Sequence, residues 1–287
     1  MAIPSEYVVE VLREGGDFTL YRGRERGNQM PILAVTIASG QPSPQALRRL
    51  EHEYSLANEL DASWAAQPVA LTRQQEWPVL ILKDPGGELL DRVIEQHKAQ
   101  PLDVLRLLRI AIGLAAAVRQ AHREGLIHKD VKPANALVDD SGHVWLTGFG
   151  IASRLPRERL APTPPEIIAG TLAYMSPEQT GRMNRSMDTR SDLYSLGVTL
   201  YQMITGVLPF TAADPLEWVH CHIARQPVAP ADRRAVPKPL SGIIMRLLAK
   251  NAEERYQTAA GLEADLLTMP DAVGIPRSHR SISPGQG

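Results

Sequence analysis

The first third of the chain consists of short apolar runs separated by turn residues. Alternating or β-branched runs of four to seven residues bounded by glycine, proline and polar clusters are typical of β-strands. A Gly-Gly-Asp turn at residues 15–17 separates the first two runs, as in a β-hairpin. The pattern predicts five short strands, at residues 7–12 (YVVEVL), 18–21 (FTLY), 32–37 (ILAVTI), 69–71 and 79–82.

Apolar positions are spaced for helices in the remaining segments. In the first third, residues 45–60 place Leu47, Leu50 and Tyr54 on one helical face. Residues 102–123 are apolar on more than one face, which predicts a central helix of a bundle. A short hairpin is predicted at residues 136–138 and 144–146, and further helices at residues 191–205, 218–224, 240–250 and 258–268.

The change of pattern near residue 83 predicts an α+β fold with two lobes. Residues 7–82 would form a small antiparallel β lobe with one main helix, and residues 88–268 a larger, mostly helical lobe. Residues 83–87 (KDPGG) have the turn composition of a hinge. Residues 269–287 are predicted to be a polar tail.

Composition narrows the classes of function. The chain of 287 residues has 44% hydrophobic residues, 22% charged residues and a net charge of −1, which are values of a globular protein. This charge gives no reason to expect nucleic acid or a membrane as partner. A single cysteine, the lack of a signal-peptide pattern and the lack of a long apolar run predict a cytoplasmic protein.

The chemically richest stretch is residues 125–138 (GLIHKDVKPANALV). It places His128, Asp130, Lys132 and Asn135 in a polar turn between two apolar segments. Polar groups in a buried loop must find partners, and such groups are often functional. The alternative is a polar turn that only joins two segments.

Four motifs in order resemble the eukaryotic-like Ser/Thr protein kinase family. His128-Lys129-Asp130 with Lys132 and Asn135 is similar to its catalytic loop. Ser176-Pro177-Glu178, with Gly170-Thr171 before it, resembles the end of its activation segment, and residues 191–197 (SDLYSLG) resemble the start of its core helix. Arg255 stands where the family keeps the arginine that pairs with the motif glutamate, here Glu178.

The resemblance implies a two-lobed protein-kinase-like fold, with ATP and Mg²⁺ as cofactors and a protein substrate or regulatory partner. By this resemblance Asp130, Lys132 and Asn135 are catalytic, and Asn135 also holds the metal. Gly15, Gly16, Lys83, Asp84 and Asn135 are the implied cofactor-binding residues. Gly15 and Gly16 lack the family's regular glycine spacing, so a plain hairpin turn is the alternative for them.

Two positions depart from the family pattern. The family has an Asp-Phe-Gly triplet where this chain has Gly148-Phe149-Gly150, and glycine offers no ligand to a metal. The third strand contains no lysine, and Ala34 is the position that aligns with it to within one or two residues. The helix glutamate that would pair with it is Glu53, with Glu51 as the lesser choice; Arg48, Arg49 or solvent could be its partner.

Two other features invite a functional interpretation. His220-Cys221-His222 contains metal-binding residue types, but positions i and i+2 of a helix do not face each other, which favours a packed helix. Thr163 and Thr171 lie in the segment that phosphorylation orders in such proteins, near Arg154, Arg157 and Arg159. For Thr171 the alternative is a loop residue that contacts Asp130.

The expected function is therefore Ser/Thr phosphoryl transfer from ATP to protein by an incomplete and weak catalytic site. The alternative is a pseudokinase that binds or regulates without catalysis. The strings GTLAYMSPEQTGRMNR, VHCHIA and AKNAEERYQTAAGL resemble a bacterial branch in which this domain precedes an ATPase-like region and a sensor histidine kinase. The resemblance thus leaves open whether the chain is a stand-alone product or a truncated one.

Overall fold

The computed structural model describes residues 7–27, 30–38, 43–74, 77–97, 103–154, 171–182 and 186–272. The strands are Tyr7–Arg13 (β1), Phe18–Glu25 (β2), Pro31–Ile37 (β3), Pro68–Gln74 (β4), Trp77–Lys83 (β5), Glu88–Leu89 (β6), Leu126–Ile127 (β7), Ala136–Val138 (β8), Val144–Leu146 (β9) and Ser153–Arg154 (β10). The helices are Pro44–Ser55 (α1), Leu90–Gln96 (α2), Val104–Arg123 (α3), Thr189–Thr205 (α4), Pro215–Ile223 (α5), Pro230–Arg233 (α6), Lys238–Leu247 (α7) and Ala259–Ala272 (α8).

The N-terminal lobe is an antiparallel sheet with the strand order β1-β2-β3-β5-β4. The side chains of one face, among them Leu33, Leu80 and Leu82, are fully buried and pack against Leu50 of α1. The hydroxyl oxygen of Ser43 accepts a hydrogen bond from the Ala46 N–H at 3.0 Å and caps the start of this helix. The expected small β lobe with one main helix is confirmed.

The C-terminal lobe is built around two buried helices, α3 and α4. Fourteen of the seventeen residues of α4 are buried, so it forms the centre of the lobe. Gly197 of α4 lets Leu247 of α7 approach closely, because a Cβ on Gly197 would lie 2.6 Å from the Leu247 Cβ. The two-lobed α+β fold that the sequence predicts is therefore confirmed.

Some element boundaries differ from the prediction. Helix α1 ends at Ser55 and not at residue 60, because the chain turns there to bury Leu56 and Leu60 in the C-terminal lobe. Helix α2 was not predicted, since its seven residues are too short for a clear periodic signal. Helix α8 continues through Ala272, four residues into the segment predicted as a tail, and residues 273–287 lie outside the described part.

A buried ion pair joins the segment before α4 to the segment after α7. Two guanidinium nitrogens of Arg255 donate to the two carboxylate oxygens of Glu178 at 2.7 and 2.9 Å. Arg255 is 0% exposed, and it also donates to the carbonyls of Ala249, Arg190 and Lys250. The predicted pairing of these two residues is confirmed.

Helix α5 carries His220 on its exposed side and packs Cys221 and His222 into the lobe, so the expected packed helix is confirmed. Cys221 and His222 are each 1% exposed, and the ring of His222 bonds to the Tyr194 hydroxyl and the Leu172 carbonyl at 3.0 and 2.8 Å. Among the residues described, no three His, Cys, Asp or Glu side chains come together as a metal site. No described helix is both long and apolar enough to span a bilayer.

Replacing Arg255 by methionine is expected to destabilise the protein by about 3–5 kcal/mol, because the buried Glu178 carboxylate loses its cation. Urea unfolding followed by circular dichroism measures this change. The control is Arg123→Met on an exposed helical surface, with an expected loss below about 0.5 kcal/mol. Adding Glu178→Leu to Arg255→Met should recover part of the loss, and equal losses in Arg255→Met and Arg123→Met would contradict this account.

Candidate active site

A cavity of about 480 Å³ lies between the two lobes. Its upper wall comes from β1, β2, β3 and α1, and its lower wall from the loop after β7 and the segments after β9 and before α4. The charged residues of the lining are Arg13, Asp17, Arg49, Glu53, Asp130 and Lys132. The polar turn that stands out in the sequence therefore opens into this cavity between the lobes.

The loop that carries Asp130 is anchored by a buried carboxylate in α4. Asp192 is 0% exposed, and its two oxygens accept hydrogen bonds from the N–H groups of His128 and Lys129, both at 2.8 Å. Burial alone would raise the pKa of Asp192, but the bonds from His122 and His128 hold it below its usual value. Lys129 has φ of +67°, a left-handed conformation that costs free energy outside glycine, and the Asp192 bonds hold it there.

His128 connects this loop to the chain segment just before Gly148. Its Nε2–H donates to the Thr147 carbonyl at 2.9 Å, and its Nδ1 accepts from the Asp130 N–H at 3.2 Å. Burial lowers the pKa of His128, which agrees with a neutral ring. The ring also lies 4.4 Å from the ring of Phe149, centre to centre.

Asp130, Lys132 and Asn135 come together as the sequence predicts, and Thr171 joins them. The Lys132 ammonium donates to Asp130 Oδ2 at 2.7 Å and also to the Thr171 hydroxyl. The Thr171 N–H donates to Asp130 Oδ1 at 3.1 Å. The expected contact of Thr171 with Asp130 is confirmed, whereas Thr163, Arg157, Arg159 and Gly170 lie outside the described residues.

The Asn135 amide occupies the space beside Gly148. Its Nδ2 donates to the Asp130 carbonyl and to Asp130 Oδ2, both at 2.9 Å. A Cβ on Gly148 would lie only 2.7 Å from Asn135 Nδ2 and 2.8 Å from its Cγ. Gly148 also has φ of +78°, which favours glycine. The Asn135 amide can therefore take this position only because residue 148 is a glycine, which has no side chain.

Glu53 lies inside the cavity and not in solvent. It is 4% exposed, and its Oε1 accepts a hydrogen bond from the Gly148 N–H at 3.1 Å. Burial raises the pKa of Glu53 to about 7, although the Phe149 and Gly148 N–H groups act against this. Solvent is therefore not the partner of Glu53, and Arg49 bonds to Asp17 at 2.6 Å instead of to Glu53. Among the described residues Glu53 forms no ion pair with Arg48 either, so it has no cationic partner there.

Val35, and not Ala34, occupies the lysine position of the third strand. Val35 lines the cavity with Glu53, whereas Ala34 faces the opposite side of the sheet, where it packs with Ile32, Val79 and Ile81. Side chains alternate along a strand, so a shift of one residue exchanges the two faces. The prediction that the third strand carries no cation is confirmed, because β3 contains neither lysine nor arginine.

The four residues predicted to bind the cofactor besides Asn135 separate into two pairs. Gly15 and Gly16 line the cavity, and both have positive φ, of 142° and 64°. Lys83 and Asp84 are not among the lining residues: Lys83 bonds to Gln67 Oε1 at 2.8 Å, and Asp84 pairs with Arg22 at 2.7 Å. The side chains of the hinge segment therefore stabilise the lobe connection.

Sequence analysis missed two residues that matter to this site. Asp192 was noted only as part of a helix motif, although a buried acid at a helix start is a signal for a structural anchor. Arg13 has no role in the sequence-based prediction, yet its side chain lines the cavity and donates to the Ala134 carbonyl at 2.7 Å. Nothing in the local sequence shows where such a long side chain points.

Comparisons with known proteins agree with this geometry. Residues 8–267 match the protein kinase domain family. A probable serine/threonine-protein kinase of Clostridium perfringens is 31% identical over 276 residues, 96% of this chain and 39% of that protein. Serine/threonine-protein kinase PknL of Mycobacterium bovis is 33% identical over 278 residues, 96% of this chain and 68% of that protein.

The third relative is serine/threonine-protein kinase PksC of Streptomyces coelicolor, 38% identical over 202 residues, 70% of this chain and 35% of that protein. The chain thus spans between about a third and two fifths of the length of several curated relatives it matches.

The raised pKa of Glu53 predicts a specific pH dependence of stability. The folded protein binds the Glu53 proton more tightly than the unfolded chain does, because the pKa of Glu53 is raised from 4.5 to about 7. The protonated carboxyl group therefore contributes its full share of folding stability below pH 4.5, and this share is lost as the pH rises through about 7. Glu53→Gln should remove this loss, which is on the order of 3 kcal/mol at most.

Urea unfolding of both proteins between pH 5 and pH 8 measures this difference. Glu51→Gln, an exposed carboxamide substitution in the same helix, is the matched control and should keep the wild-type profile. If Glu53→Gln and the wild type lose stability equally over this range, Glu53 is already ionised at low pH and the assignment is wrong.

Proposed function

Because this chain belongs to the protein kinase domain family, we propose that it acts in bacterial signalling as a Ser/Thr protein-kinase-like domain with an incomplete phosphoryl-transfer site. The observation that carries this proposal is the intact group of Asp130, Lys132 and Thr171 next to a glycine at residue 148. The residues that would accept the substrate proton and contact the phosphoryl group are present, whereas the carboxylate that would hold a metal ion is not.

In this proposal the protein substrate presents a serine or threonine hydroxyl to Asp130. Asp130 accepts or orients the proton of that hydroxyl, and its carboxylate is held for this by the Thr171 N–H and the Asp192-anchored loop. Lys132 is placed next to Asp130 and offers a positive charge to the phosphoryl group that moves. The cavity of about 480 Å³ has room for a nucleotide.

The residues at this site do not fit Mg²⁺. A magnesium ion that holds nucleotide phosphates needs one or two carboxylates, and Gly148 provides none. The oxygens of Asp130 accept bonds from Lys132, Asn135 and Thr171, and Glu53 Oε1 accepts a backbone N–H. Asn135, the implied metal ligand, offers one uncharged oxygen, because its amide nitrogen donates to Asp130. We therefore derive no catalytic step through a metal.

The missing groups set the expected rate. Loss of one preorganised charge contact costs about 10²–10³-fold in rate, and losses within one functional unit do not simply multiply. This chain lacks both the metal carboxylate and the third-strand lysine. We expect phosphoryl transfer, if it is present, at a rate far below that of a complete site.

A pseudokinase is the second candidate, and one observation favours it. The Asn135 amide and the Glu53 carboxyl are both engaged with neighbouring protein groups, so the site is satisfied without a metal. In this case the two-lobed fold serves as a binding or regulatory module for a protein partner.

The wider organisation is also a proposal. We propose a small lobe at residues 7–82, a hinge at 83–87, a large lobe from residue 88 through the end of α8 at Ala272, and a polar tail after that. The resemblance of GTLAYMSPEQTGRMNR, VHCHIA and AKNAEERYQTAAGL to one bacterial branch supports a role as the domain that precedes an ATPase-like region and a sensor histidine kinase. A cytoplasmic location is consistent with this role.

The first test is transfer of radiolabelled phosphate from ATP to the protein itself and to a generic substrate such as myelin basic protein. Asp130→Asn should lower the signal at least tenfold, since the amide cannot accept the proton. Asp140→Asn in an exposed turn is the matched control and should leave the signal unchanged. Equal signal in wild type and Asp130→Asn would argue against the enzyme, and no signal in either would favour the pseudokinase.

A further inference from the structure

Four of the six charged residues that line the cavity form two ion pairs, and the other two form none with a described residue. Arg49 pairs with Asp17 at 2.6 Å, and Lys132 pairs with Asp130 at 2.7 Å. Arg13 and Glu53 remain, and no ion pair joins them in the described residues. The cavity thus contains one cation and one carboxyl group that lack a direct counter-ion.

The two remaining groups do not balance each other. Glu53 is buried with a pKa of about 7, so a large part of it is neutral near pH 7. Arginine keeps its charge at all relevant pH values. Arg13 is therefore a cation of the cavity without an ion-pair partner, and Asp91 and Asp130 act on it from beyond ion-pair distance.

Arg13 is placed where an anionic ligand would meet it. It ends β1 directly before the Gly15-Gly16 turn, and its Nη1 donates to the Ala134 carbonyl, one residue before Asn135. Its Nε is buried without a hydrogen-bond partner. Within the part of the chain that is described, no carboxylate lies within 4.0 Å of its guanidinium nitrogens.

Arg13 is partly buried, and a partly buried cation without an ion-pair partner carries a free-energy cost that an anion removes. An unpaired donor and an unpaired charge away from water are both unfavourable. A phosphate group accepts two parallel bonds from a guanidinium, which gives arginine both strength and geometry for this ligand. Gly15 and Gly16 add a turn whose backbone can come close to a phosphate because neither residue has a Cβ.

We propose that Arg13 is the phosphate-binding cation of this cavity, in place of the third-strand lysine, and that it binds the phosphates of a nucleoside di- or triphosphate without a divalent metal ion. This inference rests on the proposed function for the choice of a nucleotide. The cation reaches the site from the first strand and the glycine turn, because the third strand presents Val35 there.

Nucleotide binding by the whole chain tests the inference, measured by isothermal titration with ADP, ATP and adenosine in EDTA and again in Mg²⁺. The wild type should bind ATP in EDTA at least as tightly as in Mg²⁺. Arg13→Gln should weaken ATP and ADP binding about tenfold to a hundredfold, the size of one or two charge-assisted bonds. Arg13→Lys should keep part of the affinity.

Two measurements separate a phosphate contact from a structural effect. Arg24→Gln, an exposed arginine of the same sheet, is the matched control and should bind like the wild type. Adenosine, which has no phosphate, should bind Arg13→Gln and the wild type equally. Loss of adenosine and ATP affinity together in Arg13→Gln would mean that Arg13 only supports the fold, and the inference would fall.

Other outcomes also decide the matter. If ATP binds the wild type only with Mg²⁺, or binds Arg13→Gln as tightly or more tightly, this inference is wrong while a nucleotide-dependent function survives. If no nucleotide binds the wild type in either buffer, both the inference and the kinase function fail, and the pseudokinase module remains. Metal-free binding without phosphoryl transfer would support the inference and reject only the enzyme.

Discussion

The buried carboxylate of Asp192 is the constraint on which the candidate site depends. It takes the N–H groups of two successive loop residues, and the second of them, Lys129, is held in a left-handed conformation. Asp130 comes next, so its direction follows from that turn. Because a strained backbone persists only where its surroundings over-determine it, the Asp192 contacts fix the loop before any ligand arrives.

The same preorganisation explains how the site tolerates the loss of its metal carboxylate. The backbone N–H of Gly148 donates to Glu53, and the lack of a Cβ at this residue leaves space for the Asn135 amide. The Asn135 amide nitrogen and the Glu53 carboxyl group both bond to neighbouring protein groups. The result is a cavity whose polar side chains bond to neighbouring protein groups, among them a carboxyl group that is hard to ionise.

The sequence predicts the architecture well because period-two and helical patterns are local signals. It also predicts the Glu178–Arg255 pair and the grouping of Asp130, Lys132 and Asn135, since these follow from motifs in order. It fails where the answer depends on tertiary placement. Whether Val35 or Ala34 faces the cavity depends on a shift of one residue along β3. The environment of Glu53 depends on how closely α1 packs against the segment after β9.

Long side chains are the second reason why prediction from sequence fails, because they make contacts far from their own strand that no local pattern indicates. Arg13 begins in the sheet and ends at the backbone of the loop below it, 121 residues later in the chain. Arg22 likewise crosses to Asp84 and to the carbonyls of Gly86 and Gly87, and so holds the segment that joins the lobes.

These contacts tie the glycine turn to the Asp192-anchored loop. A carboxylate returned to residue 148 alone would not rebuild the family site. Its Cβ would meet the Asn135 amide, whose removal would break both bonds to Asp130. The residues concerned are Gly148, Asn135 and Arg13. Because their contacts are connected, we expect a substitution at one of them to alter the contacts of the others.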